Sequence, residues 1–197
     1  MIKNIVFDFG NVIAKFEPEN IASQFCDNEN DRALLMTAVF ENWADIDAGR
    51  IEYEVYTERA MSLVPARLRD NVAALMRDWY LFLPKVEGME ELIRDLKADG
   101  RGIYLLSNAP TYFSEKSKIF EVLDIFDGKV FSADIKLAKP AKEIFEYLFE
   151  KYSLVPNECL FVDDLPQNVD GAKNCGMAGY NFDGDTAKLR EFVFNVI

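Results

Sequence analysis

No histidine occurs in the 197 residues, and that absence excludes more than any motif asserts. Ser-His-Asp and Cys-His nucleophile systems cannot be built in their usual form. Histidine-phosphate chemistry and His-ligated zinc are excluded with them. Cysteine is scarce too. The three present, Cys26, Cys159 and Cys175, are widely spaced, so they read as reduced thiols of a cytoplasmic protein rather than a disulfide framework. No stretch approaches the ~18 consecutive apolar residues of a membrane span. The N-terminus lacks a basic region, a long apolar stretch and a small-residue cleavage site, so no signal peptide is expected. Positive charge is in short supply: 22 Lys and Arg stand against 34 Asp and Glu, a formal net charge of −12. Such a surface repels nucleic acid. It still admits a small phosphate ester, because a bound cation and one or two lysines reverse the field locally.

What remains for catalysis is carboxylate, lysine, hydroxyl, thiol and metal, a set that fits covalent catalysis by an aspartate. The apolar content, 50% of the chain, is ample for one medium domain or a core with a small insert.

Along the chain, residues 3–9 read as a first strand, a short β-branched and aromatic run ended by the turn residues Gly10 and Asn11. From about 18 to 83 the pattern becomes helical. Polar and proline breaks at Asn28–Asp31, Ala48-Gly49 and Pro65 divide it into about four helices, a small bundle. Thereafter helix and strand alternate: helix 89–98, strand 102–106, helix 111–122, strand Lys129–Ser132, a helix opened by Pro140, strand 159–162, helix 167–174, strand 177–182 and a final helix. Alternation of this kind predicts an α/β fold, a Rossmann-like parallel sheet with helices on both faces.

Two strand ends carry acid. Asp8 closes Ile5-Val6-Phe7, and Asp163-Asp164 closes Cys159-Leu160-Phe161-Val162. Open α/β sheets bind ligands at the carboxyl ends of their strands. Three carboxylates converging there repel one another, and a hard cation is the usual remedy. Each acid alone also has a plain structural reading, as a turn residue or a helix cap.

Four segments stand in one order: Asp8-Phe9-Gly10-Asn11-Val12 after the first strand, Leu105-Leu106-Ser107-Asn108 ending the second, Lys139-Pro140 before a helix, and Asp163-Asp164 with Asn168 and Asp170 beyond. Together they resemble the haloacid dehalogenase superfamily, a large set of mostly phosphatases. The resemblance covers the whole chain. It implies a hydrolase core of residues 1–15 and 85–197 and a small helical-bundle cap, 16–84, inserted after the first strand. It further implies that Asp8 attacks phosphorus to form a phosphoaspartate, and that Ser107, Asn108 (through its backbone) and Lys139 bind the phosphoryl group, with Lys139 also holding Asp8. Mg²⁺ would be held by Asp8, the Gly10 carbonyl and Asp164, with Asp163 behind them. The expected partner is a small phosphorylated metabolite, with neither nucleic acid nor membrane; oligomeric state is not fixed by the sequence.

Gly10 departs from the pattern. Most phosphatases of the superfamily carry an aspartate there as general acid and base, help typically worth ~10²–10⁴-fold. Glycine keeps the carbonyl and loses the proton. Either the leaving group needs little protonation, or Asp163 or a cap acid supplies it, or the protein is slow or inactive. Asp-Phe-Gly-Asn-Val is similar to the branch containing α-D-glucose-1-phosphate phosphatases, which makes a sugar phosphate such as glucose 1-phosphate the expected substrate. The alternatives are a weak or inactive binding member of the fold and a haloacid dehalogenase. The acidic pair argues against the dehalogenase. No lysine occurs between Phe16 and Pro84, which closes the Schiff-base route of phosphonate hydrolases.

Two decoys fall away. Cys26 and Arg32 have the spacing of a cysteine-phosphatase loop, but acids between them would repel phosphate. Asp45–Gly49 opens like a calcium loop, yet Tyr56 stands where the bidentate glutamate belongs. Trp43–Arg50 remains as the expected specificity loop, with Trp43 either cap core or contact and Arg50 either contact or surface charge.

Overall fold

A computed structural model describes residues 1–195. Among them, β1 (Asn4–Phe7) is followed by helices α1 (Pro18–Ser23), α2 (Glu29–Phe40), α3 (Ala44–Asp47), α4 (Tyr53–Ser62) and α5 (Arg69–Asp78). Then come α6 (Met89–Ala98), β2 (Gly102–Ser107), α7 (Thr111–Lys116), β3 (Gly128–Phe131), α8 (Ser132–Ile135) and α9 (Lys142–Tyr152). The series closes with β4 (Cys159–Asp163), α10 (Pro166–Asn174), β5 (Ala178–Asn181) and α11 (Thr186–Asn195). The strands form one parallel sheet in the order β3-β2-β1-β4-β5.

The expected α/β sheet is present, and its burial explains the unbroken apolar runs. Val6, Cys159 and Phe161 face one side, against Ile144, Phe145 and Leu148 of α9. Ile5, Phe7, Leu160 and Val162 face the other, in one cluster with Met89, Leu92 and Leu96 of α6 and Leu189 and Val193 of α11. A strand covered on both faces has no polar side to alternate with. The second cluster continues into the helical segment through Ile21, Leu35, Val39 and Trp79. Where that segment leaves and rejoins the sheet, Lys15 N donates to Pro84 O and Val86 N to Ile13 O, at 2.7 and 3.0 Å. This paired neck pins the two ends of the insertion together.

Several expectations need correction. The insertion holds five α-helices and two 3₁₀ turns, Ala66–Leu68 and Trp79–Phe82, rather than about four helices. The extra break falls between α2 and α3, where the chain turns Trp43 inward onto Phe40 at 5.2 Å between ring centroids. Helix 111–122 ends at Lys116 and continues as 3₁₀ turns, because Phe120 leaves the helical path to pack on Phe9 at 4.8 Å. Ser132 belongs to the short helix α8 and not to β3. Pro140 does not open α9, which starts at Lys142. It sits in the preceding turn, closed by Ala141 N to Ala138 O at 3.0 Å. Other boundaries shift by a residue or two, as element ends generally do. No helix among the described residues is long and apolar enough to cross a membrane.

Helix α10 presses its backbone against the turn that carries Lys139. A Cβ added at Gly171 would lie 2.7 Å from Pro140 O. Glycine to alanine inside a helix ordinarily stabilises by about 0.8–1 kcal/mol. Here the sign should invert, and Gly171→Ala should cost ~1–3 kcal/mol through overpacking. Urea denaturation measures it, and a raised midpoint would show that the Pro140 turn yields freely.

Candidate active site

Strands β1 and β4 lie side by side with Phe7 opposite Val162, so Asp8 and Asp163 leave the sheet together. Between these strands the sheet's direction of growth reverses, and ligands of open α/β sheets bind in the crevice at such a point. Asp8 N donates to Val162 O at 2.9 Å, and the chain then turns, with Asn11 N bonded to Ala14 O and Ile13 N to Phe9 O at 2.7 and 2.8 Å. Asn11 takes the left-handed conformation, φ 56°, which asparagine tolerates better than most residues. Gly10 has no such constraint. A Cβ there would meet nothing closer than Phe16 Cβ at 3.9 Å, so neither backbone nor space demands glycine at this position.

Lys139 Nζ lies 2.7 Å from Asp8 Oδ1 and 2.7 Å from Asp163 Oδ2, with its side chain 1% exposed. Its main chain is clamped as well. Asn108 Nδ2 donates to Lys139 O at 3.0 Å, and Asn108 Oδ1 accepts from Lys139 N at 2.9 Å. The Asn108 side chain is thereby committed to positioning Lys139. Burial opposes the Lys139 charge, yet Asp8 and Asp163 together hold the ammonium above the usual lysine range. Burial pushes the Asp8 carboxyl up to about 7, with Asp163 adding to the rise and Lys139 opposing it. Burial also raises Asp164, partly offset by the bond from Asn11.

One oxygen from each of Asp8, Asp163 and Asp164 lies within 4.8 Å of the others, the one such acidic cluster among the described residues. A single buried ammonium among three carboxylates leaves the cluster short of positive charge. An all-oxygen donor set of this kind suits a hard divalent cation. The acidic pair is divided in its duties. Asp163 is fully buried and saturated, accepting from Lys139, from Leu165 N at 2.9 Å and from Asn168 Nδ2 at 3.1 Å. Asp164 is half-buried and accepts from Asn11 Nδ2 at 3.0 Å. That leaves Asp164 the more available ligand.

These groups floor a cavity of about 380 Å³ that Gly10 and Ser107 also line. Ser107 ends β2 and is buried. A larger open groove between α6 and α11, about 710 Å³, is spanned by the Arg190–Asp95 ion pair and lies away from the acidic cluster. Of the expected specificity loop, Trp43 and Asp47 line the site cavity, while Arg50 does not. Arg50 pairs with Asp45 at 2.8 Å on the surface. Asp170 is exposed and 3.9 Å from Lys173, outside the site. Asn168 is buried beneath Asp163, and its Oδ1 has no partner.

Aromatic rings from both parts of the chain wall the cavity. Phe9 packs on Phe113 at 4.8 Å, Phe113 on Trp79 at 5.4 Å, and Trp79 on Trp43 and Phe16 at 5.1 and 5.7 Å. Trp79 and Phe113 are missed by sequence reasoning, because they look like ordinary core aromatics. Asp47 is missed as an individual residue, its only signal being its place in the Trp43–Arg50 loop. It ends α3, and its Oδ1 is sealed from solvent without a partner. Burial and then the charge of Asp8 raise its carboxyl well above the usual range, against Trp43 and Lys139.

A haloacid dehalogenase-like hydrolase family model matches residues 2–176. The chain is 27% identical over 191 residues to a sesquiterpene phosphatase of Aspergillus oryzae, covering 96% of this chain and 94% of the relative. It is 27% identical over 193 residues to a D-ribitol-5-phosphate phosphatase of Bacteroides thetaiotaomicron, covering 89% of each. In fold it is similar to a haloacid dehalogenase family enzyme of B. thetaiotaomicron crystallised with magnesium and inorganic phosphate. That match has a TM-score of 0.74 and 21% identity over 96% of this chain and 99% of the other. With a family model spanning nearly the whole chain and an acidic cluster at the switch point of the matching fold, this protein belongs to the haloacid dehalogenase-like hydrolases.

Proposed function

We propose that the protein is a Mg²⁺-dependent phosphatase of a small phosphate monoester, with residues 16–84 serving as a cap over a core of 1–15 and 85–197. The observation that carries this reading is Lys139, bonded to both Asp8 and Asp163 beside an available Asp164. Asp8 attacks phosphorus in line, the ester oxygen departs, and water hydrolyses the resulting phosphoaspartate. Lys139 orients Asp8 and offsets charge on the transferring group, and Ser107 with the Asn108 backbone hydrogen-bonds its oxygens. Mg²⁺ would be held by Asp8, the Gly10 carbonyl and Asp164, where it would neutralise phosphoryl charge and orient the ester. Asp163 supports Lys139 from behind. The alternative of an inactive binding protein is disfavoured by the intact set of Asp8, Lys139 and Asp164. The phosphatase names of the two curated relatives point the same way.

For the leaving group, the sequence favours a sugar phosphate such as glucose 1-phosphate, whose anomeric oxygen needs little protonation. The cavity supports a second reading. Phe16, Trp43, Trp79, Leu83 and Phe113 face it, and an apolar wall of this kind suits a hydrocarbon or aryl group. Sesquiterpene and ribitol-5-phosphate phosphatases among the relatives span the same two classes. With Mg²⁺ present, kcat/KM for a short prenyl phosphate should exceed that for glucose 1-phosphate. The reverse order would return the assignment to sugar.

Asp8→Asn should keep the fold and lose ~10⁴-fold or more of turnover, as removal of a covalent nucleophile does. Substantial retained activity would rule out the phosphoaspartate. In the metal-free protein a carboxyl raised to about 7 holds its proton below that pH, and proton and metal compete for it. Mg²⁺ affinity should therefore climb from pH 5 to about 7 and level off above, as read by calorimetric titration. Asp164→Ala should weaken that affinity far more than Asp163→Ala. Equal effects would mean that the two aspartates share the ion.

A further inference from the structure

We propose that Asp47 is the general acid and base of this site, supplying from the helical insertion the proton that Gly10 cannot carry; the inference rests on the phosphatase reading above. Four titratable side chains line the cavity: Asp8, Asp47, Lys139 and Asp164. Asp8 is the nucleophile, Lys139 is bound between two carboxylates, and Asp164 belongs to the metal cluster. Asp47 is the one left without a task. Its Oδ1 is buried and makes no hydrogen bond, a condition that native proteins rarely leave without a reason. Asp47 itself lines the cavity, where an arriving substrate oxygen would meet its carboxyl.

The position of Asp47 is built, not incidental. Ser132, fully buried at the start of α8, donates its hydroxyl to the Asp47 carbonyl and accepts from Ala109 N at 2.9 Å. The end of α3 is thereby tied to the loop that follows Ser107. Two residues on, Gly49 adopts φ +64°, and a Cβ there would stand 2.8 Å from Ala133 O. Only glycine lets the insertion approach the core so closely. Burial and the nearby Asp8 favour the protonated acid, the form that a proton donor must start from.

The chemistry balances in two steps. Asp8 forms a bond to phosphorus as the ester P–O bond breaks; the electron pair leaves with the ester oxygen, which takes the Asp47 proton and departs as alcohol. Asp47, now a carboxylate, takes a proton from water as the water oxygen attacks phosphorus. The Asp8–phosphorus bond breaks, inorganic phosphate leaves, and both carboxyl groups return to their starting states.

The test uses alkyl and aryl phosphates of graded leaving-group basicity with saturating Mg²⁺, comparing wild type, Asp47→Asn and Asp47→Asn/Gly10→Asp. Asp47→Asn should lose ~10²–10⁴-fold on alkyl phosphates. On an activated aryl phosphate it should release a burst of phenol matching the enzyme concentration and then stall, with phosphoaspartate accumulating for want of a base. Adding Gly10→Asp should restore turnover, since that position has room for a side chain. Uniform slowing of all esters, with no burst and no rescue, would overturn the proposal and leave Asp47 a packing residue. Should Asp47→Asn fail to fold, Asp47→Ser is read in the same assay by the same criteria. A wild-type protein that hydrolyses none of the esters defeats the phosphatase reading itself, and this inference with it.

Discussion

One buried ammonium holds this site together. Lys139 sits between Asp8 and Asp163, and each group would be costly to bury without the others. Removing one partner of such a buried pair typically costs ~3–5 kcal/mol, because an uncompensated charge remains. The arrangement makes demands outward from that point. Asn108 must grip the Lys139 main chain, Asn168 and Leu165 N must saturate Asp163, and Gly171 must leave room for Pro140. Residues from the loop after β2, the turn before α9 and α10 with its N-terminal cap are thus all placed with reference to one nitrogen. Even so, the charge is not fully balanced, since Asp164 also faces the cluster. That deficit of positive charge is what a divalent cation would settle.

The cavity lies on a seam rather than inside either part of the chain. Its floor is the polar end of the sheet, and much of its wall comes from the insertion through Phe16, Trp43 and Trp79. Edge-to-face and stacked aromatic pairs contribute roughly 0.5–1.5 kcal/mol each beyond their burial. The chain of rings from Phe9 through Phe113 to Trp79 therefore holds the two parts in contact on the same surface that substrate would occupy. Tyr53 reinforces the arrangement, donating to Met76 O at 2.6 Å and accepting from Trp79 Nε1 at 2.9 Å. The cavity wall and the docking of the insertion draw on one set of contacts.

Much of this was legible in the chain because a doubly covered strand has to be apolar throughout. The first acid after such a run marks the exit from the sheet, which is why Asp8 and Asp163 stand out. Lys139 is different: nothing local distinguishes it, and only the order of four motifs points to it. The helix boundaries that failed did so for tertiary reasons. Phe120 leaves the helical path to reach Phe9, and Pro140 is displaced from α9 beside a residue whose main chain Asn108 grips. Asp47 was visible only as part of a loop. Its significance depends on a contact with Ser132, 85 residues away, and no sequence pattern encodes that.

Under the proposed assignment of Asp47, moving the acid from the loop after β1 to α3 changes more than its address. An aspartate two residues after the nucleophile travels with the core and can donate whether or not the insertion is docked. A proton on Asp47 reaches the ester only while Ser132 holds the Asp47 carbonyl and Gly49 rests on Ala133. Proton transfer is then tied to closure, and closed sites exclude bulk water during transfer while opening to release product. The phosphoaspartate faces the same condition, since the water that attacks it needs Asp47 as base. On that assignment, an undocked insertion would leave the intermediate without a base and the substrate without an acid. With glycine at position 10, chemistry and docking of the helical insertion become a single event.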